Sequence, residues 1–155
     1  MKSRAIFLAN GDGEHMRVLG ADATVKATAD DTAGAVEWVE FTAERGTAVP
    51  PHRHAWGESY YIIDGTIEIQ VGARHHEATA GAFLTIPPRA VHGFMVTSDS
   101  ATFLHVSIGP GATAMFTEYS QTVPEAPGPD DLGVLATVLE VGARHGIELL
   151  VSQPA

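Results

Sequence analysis

The stretch Gly46-Thr47-Ala48-Val49-Pro50-Pro51-His52-Arg53-His54-Ala55-Trp56-Gly57-Glu58-Ser59-Tyr60-Tyr61-Ile62-Ile63-Asp64-Gly65 decides how the chain is read. Pro50 and Pro51 hold the backbone extended and exclude a helix. Side chains two apart on an extended strand share a face, so His52 and His54 stand side by side, and two imidazoles so placed can hold one metal ion. The plain alternative makes them surface histidines, since eight His occur in the chain. Glu58 lies beyond a short turn, Ala55 to Gly57, and opens the next strand, from which its carboxylate can reach the same ion. Asp64-Gly65 then carries a strong hairpin signal between Ser59 to Ile63 and Thr66 to Val71.

Outward from this stretch, short apolar segments alternate with turn signals. Ala35 to Thr42, Ala82 to Ile86, Phe94 to Thr97 and Thr102 to Ile108 are strand-length and rich in β-branched or aromatic residues. Gly72-Ala73 and Ala80-Gly81 are weaker turn candidates. After Pro110 the pattern becomes helical. Ala112 to Ser120 puts Met115, Phe116 and Tyr119 on one face, and Asp130 is placed to cap a helix from Asp131 to His145. Leu132, Leu135, Ala136, Leu139 and Ala143 form a stripe on that helix, and Gly146 is a stop. The expected architecture is one all-β domain over residues 1–155, a barrel over about 15–110 followed by a helical tail over about 111–150.

Composition narrows the chemistry. The 155 residues suit one domain, and the absence of cysteine excludes disulfides, thiolate zinc sites, iron–sulfur clusters and cysteine nucleophiles. A net charge of −10 with nine Lys+Arg argues against nucleic acid or an anionic membrane as partner. The apolar run Ala5 to Ala9 is shorter than a signal-peptide core, and no stretch approaches the roughly 18 apolar residues of a membrane span, so the expectation is a cytoplasmic protein.

A further ligand must come from elsewhere, and His92 is the candidate. It follows Pro87-Pro88-Arg89-Ala90-Val91 and precedes Gly93-Phe94, where a turn feeds a strand. The expected metal set is His52, His54, Glu58 and His92, suited to one divalent Fe, Mn, Ni, Cu or Zn ion and leaving positions open for substrate.

These residues resemble the motifs of the cupin superfamily. Gly46, His52, His54, Glu58 and Gly65 match its first motif, G-x5-H-x-H-x3-E-x6-G, without a gap. Gly81, Pro87 and His92 match the second, G-x5-P-x-G-x2-H-x3-N, with Arg89 in place of Gly and Val96 in place of Asn. The resemblance covers roughly residues 15–150 and is similar to small single-domain proteins of quercetin-dioxygenase-like type. It implies a double-stranded β-helix, a jelly-roll-like barrel of two antiparallel sheets, with the metal inside near one mouth.

Strand alternation assigns the neighbours. Tyr60 and Ile62 share a face with Glu58, and Tyr61 and Ile63 take the other. Phe94 and Val96 share a face with His92. Trp38 and Glu40 form one candidate inward pair, and Val39 and Phe41 are the plain-packing alternative. His105 shares a face with Phe103 and Ser107. Tyr60, Trp38, Phe94 and His105 are therefore the candidate substrate-binding residues and Glu58 the candidate catalytic base. His75-His76 is expected in a solvated hairpin turn, and His15 and His145 at the surface. The functional expectation is a metal-dependent enzyme acting on a small oxygen-rich phenolic or enolic molecule, led by a dioxygenase. A polyketide cyclase or isomerase and a non-catalytic metal or ligand binder are the alternatives. Exposed sheet edges lead to the expectation of a homodimer.

Overall fold

The computed structural model describes residues 4–128 and 130–150. Ten strands precede the helices: β1 (Glu14–Val18), β2 (Ala21–Ala27), β3 (Val36–Glu44), β4 (Ala48–Arg53), β5 (Glu58–Asp64), β6 (Thr66–Val71), β7 (Arg74–Thr79), β8 (Phe83–Ile86), β9 (His92–Val96) and β10 (Ser100–Ile108). Helices α1 (Ala112–Thr122) and α2 (Leu132–Arg144) and a short strand β11 (Glu148–Leu149) complete the chain. The strands form two antiparallel sheets, ordered β1-β2-β3-β10-β5-β8 and β11-β4-β9-β6-β7. This is the all-β architecture expected from the turn-punctuated sequence.

Alternation along each strand builds the core between the sheets. On β3, Glu37, Val39, Phe41 and Ala43 are buried, whereas Trp38 is exposed; on β10, Ala101, Phe103, His105 and Ser107 are buried. From the other sheet, Ile67, Ile69 and Val96 meet Val39, Ile62 and Phe103 in one apolar cluster. Burial of this kind contributes about 1.5–3 kcal/mol per large side chain.

Three local expectations are corrected. Asp64-Gly65 is not a hairpin, because β5 and β6 lie in different sheets. It is a corner at which the chain crosses between layers. Gly65 is required there: φ is 78°, and a Cβ would stand 2.2 Å from the Ser100 carbonyl oxygen. A tight hairpin is found instead at Gly72-Ala73, which joins β6 to β7 with Val71 opposite Arg74. His75 and His76 consequently lie within strand β7, on its exposed length, rather than in the turn.

The third correction concerns α2. Asp131, not Asp130, caps it, accepting from the Val134 amide at 3.3 Å. Its buried residues are Val141 and Gly142, while Leu132 is 73% exposed and Leu135 and Leu139 also face solvent. Gly142 explains the choice of face. A Cβ there would lie 2.9 Å from the Tyr119 hydroxyl, so glycine lets α2 approach α1 without displacing that side chain. Tyr119 donates to the Val138 carbonyl at 3.1 Å, and Glu118 of α1 binds Arg144 and His145. His145 is thus half-buried against Glu118 rather than free at the surface.

Helix α1 is anchored by a buried acid. No side chain of its own N-cap, Gly111, caps it. Glu37 of β3 takes that role from outside the helix, accepting from the Thr113 amide at 2.8 Å and the Thr113 hydroxyl at 2.6 Å, with Ser107 at 3.4 Å. An acidic group at a helix N-terminus also meets the positive end of the dipole.

Candidate metal centre

Strands β4 and β9 pair so that His52 stands directly opposite His92. His54 follows one residue beyond the end of β4. The backbone register, set by sheet hydrogen bonds and interrupted by an irregularity between Val49 and His52, brings residues 40 positions apart into one place. Gly93 makes this possible, because a Cβ there would lie 2.6 Å from the Val49 carbonyl oxygen. His52, His54 and His92 are all buried, and one ring nitrogen from each lies within 4.8 Å of the others.

The three rings are oriented alike. His52 Nδ1–H donates to the Pro50 carbonyl, His54 Nδ1–H to the Trp56 carbonyl and His92 Nδ1–H to the Ala90 carbonyl, each at 2.9 Å. A carbonyl can only accept, so each bond assigns the Nδ1 proton and leaves Nε2 as a lone pair. Such second-partner bonds are what orient metal-ligating imidazoles. The Trp56 ring stacks on His54 at 4.0 Å between centroids and 10° between planes, which fixes that ring from its face. Trp56 was not among the expected residues, and only its place in the turn after His54 hinted at it.

Glu58, at the start of β5, is buried beside two of these imidazoles. Its Oε1 lies 2.6 Å from His92 Nε2 and its Oε2 3.2 Å from His54 Nε2. His92 Nε2 has no hydrogen-bond partner of acceptable geometry despite that approach. Acceptor atoms therefore converge on one another inside the protein, an arrangement that costs energy unless a cation or proton lies between them. The donor set, neutral imidazoles with a carboxylate alongside, fits a divalent transition ion.

The charge environment agrees. Burial and the neighbouring His92 push His52 down to about 4, so it is a neutral imidazole at neutral pH. Burial opposes the charged form of Glu58, yet His105, His54 and His92 outweigh it and hold the carboxyl well below its usual range. Burial likewise lowers His92, but the close approach of the Glu58 carboxylate prevails and raises it.

The remaining candidates separate by face. Tyr60 is buried on the Glu58 side and donates from its hydroxyl to Glu58 Oε1 at 2.9 Å. His105 is buried and bonds Glu58 Oε2 through Nε2 at 2.8 Å. Phe94 is half-buried and lies edge-on to Tyr60 and Phe103 at 6.0 and 5.5 Å. Trp38 is not with them. It is 39% exposed on the outer face of the six-stranded sheet, because the inward positions of β3 are taken by Glu37, Val39 and Phe41. Its expectation as a substrate-binding residue is corrected accordingly.

Comparison with known proteins agrees with this architecture. Residues 39–108 match the family model described as the cupin domain. No curated protein matches the chain. Among solved structures, the polyketide cyclase RemF from Streptomyces resistomycificus is 22% identical with a TM-score of 0.59, covering 68% of this chain and 80% of its own. KdgF from a Halomonas species is 16% identical with a TM-score of 0.64, covering 72% and 99%. A predicted oxalate decarboxylase from Thermotoga maritima is 17% identical with a TM-score of 0.62, covering 67% and 99%. At such identities the likeness is one of fold. Residues 39–108 thus match the cupin domain, and the two antiparallel sheets and paired motif strands agree with that match.

Proposed function

We propose that the chain is a metal-dependent enzyme acting on a small oxygen-rich molecule, phenolic or enolic, as a quercetinase-like dioxygenase. The observation that carries this reading is the common tautomer of His52, His54 and His92, whose Nδ1 protons are all spent on backbone carbonyls. Those three histidines would hold the ion, with Glu58 as a fourth ligand or as the base beside it. A divalent Fe, Mn, Ni, Cu or Zn ion would supply a Lewis acid that lowers the pKa of a substrate hydroxyl and orders it beside O2. Glu58 is the group placed to accept that proton, since its carboxyl is held ionised. Tyr60, His105 and Phe94 would wall the substrate side, with Tyr60 and His105 already committed to Glu58.

A second reading, cyclisation or isomerisation of a polyketide without O2, is favoured by the fold likeness to RemF, itself a polyketide cyclase. The two part in one experiment. Protein loaded separately with Fe(II), Mn(II), Ni(II) or Zn(II) is given a flavonol or catechol, and O2 uptake is followed. Consumption above the metal-only background supports the dioxygenase. Turnover of a polyketide substrate by the Zn(II) form under argon, with no O2 uptake in any form, supports cyclisation. Binding without turnover in every form leaves a ligand-holding protein and overturns both.

A homodimer belongs to the same reading. Trp38, Tyr61, Ile63, Phe83 and Ile108 all emerge on the outer face of the six-stranded sheet. Register places Trp38 beside Val106, and Leu104 beside Tyr61, which is in turn opposite Phe83, so the apolar lane crosses four strands. An apolar face of this extent is what an isologous contact between two copies uses.

A further inference from the structure

We propose that Tyr60 and His105 are a positioning pair that holds both oxygens of Glu58, so that the ion is carried by three histidines and the carboxylate stays free beside it. This rests on the metal-centre reading and decides the part Glu58 plays in it.

The group of side chains able to share one ion comprises His52, His54 and His92, and Glu58 is not in it although it touches two of them. Ligands of one ion with bonds near 2.1 Å stand at most about 4.2 Å apart, so a fourth ligand has to be within reach of all three others. Both oxygens of Glu58 are already engaged by donors outside this group. Tyr60 donates to Oε1 at 2.9 Å and His105 donates from Nε2 to Oε2 at 2.8 Å.

Among the described residues, neither donor has an alternative partner close by. The Tyr60 ring is fully enclosed, with Phe94, Phe103 and His105 around it. His105 is edge-on to Phe41 and Phe116 at 6.2 and 5.5 Å, and its Nδ1 is buried without a partner. That leaves Nε2 as the only polar contact of the ring, and Glu58 as its only acceptor. If the carboxylate moved to the ion, a phenol O–H and an imidazole N–H would be stranded among aromatic rings. The two donors also come from different strands, β5 and β10, paired at Tyr60 and His105. The sheet hydrogen bonds therefore fix the width of the clamp.

The test is Co(II) titration of metal-free protein, with affinity from calorimetry and coordination from the visible spectrum. Glu58→Gln is expected to keep Co(II) affinity within threefold of the unsubstituted protein with the same spectrum. Tyr60→Phe and His105→Leu are expected to raise affinity tenfold or more and to change the spectrum, as the released carboxylate joins the ion. Both changes are expected to vanish when Glu58→Gln is added. Loss of more than threefold in affinity by Glu58→Gln overturns the proposal, because the carboxylate is then a ligand already. Unchanged affinity and spectrum in Tyr60→Phe overturn it too, and this variant, which deletes one oxygen, serves alone if His105→Leu fails to fold by circular dichroism. His52→Ala is the control for the site and is expected to lose Co(II) in every background. No uptake by the unsubstituted protein would overturn the metal reading itself, an outcome distinct from those aimed at the clamp.

Discussion

Arg89 adopts φ of 66°, a left-handed conformation that costs a residue with a Cβ about 1 kcal/mol. Its amide donates to the His54 carbonyl at 2.8 Å, so this turn ties the loop before His92 to the loop carrying His54. The cupin motif places glycine here, and the backbone explains why. Arg89→Gly is expected to stabilise the fold by about 0.5 kcal/mol at most, after the added freedom of the unfolded chain is subtracted, as read from urea denaturation. At this scale the sequence was most informative. The spacing of His52 and His54 and the two prolines before them are local features, and strand alternation placed Tyr60, Phe94 and His105 inside. Trp38 was misplaced because both faces of β3 carry large apolar residues, so alternation alone could not say which face is inward.

Elements depend on partners that lie far away in sequence. Helix α1 starts at Ala112, behind a Gly111 that offers no side-chain cap, and relies on Glu37, 76 residues before Thr113. Glu37→Ala would leave the Thr113 amide and hydroxyl without their buried acceptor. The expected cost is about 2–3 kcal/mol in urea denaturation, with faster hydrogen exchange confined to α1 and the α2 packed on it. Nothing local in Glu37-Trp38-Val39 announces this use. The docked face of α2 was equally hidden. The leucine stripe is the more hydrophobic side, yet Gly142 decides the contact because close approach to Tyr119 is a matter of shape. The crossing at Asp64-Gly65 escaped for a related reason: a turn signature states that the chain bends, not which sheet it enters.

At the level of the whole molecule, the outer apolar lane is the surface on which the proposed homodimer is tested. Tyr61→Arg, at the centre of that lane, is expected to convert a dimer to a monomer in sedimentation equilibrium while leaving the melting temperature of the barrel within a few degrees. A dimer that persists would move the contact elsewhere, and the exposed Leu132, Leu135 and Leu139 stripe of α2 is the next surface to substitute. That the strands build a sandwich or barrel was legible from their number and length, and the motif resemblance implied two antiparallel sheets. Their order was not, because strand neighbours such as β3 and β10 are separated by most of the barrel.

The pairing of His52 with His92 carries a consequence for how the protein matures. Forty residues and four intervening strands must be in place before these two imidazoles meet, so no fragment of the chain owns the cluster. Closing such a long loop is slow and entropically costly, and it is achieved by β-pairing, not by the cation. An ion held by this cluster would be captured after the strands have paired, a clasp fastened on a garment already sewn, and the metal free at that moment would decide which ion is fastened in.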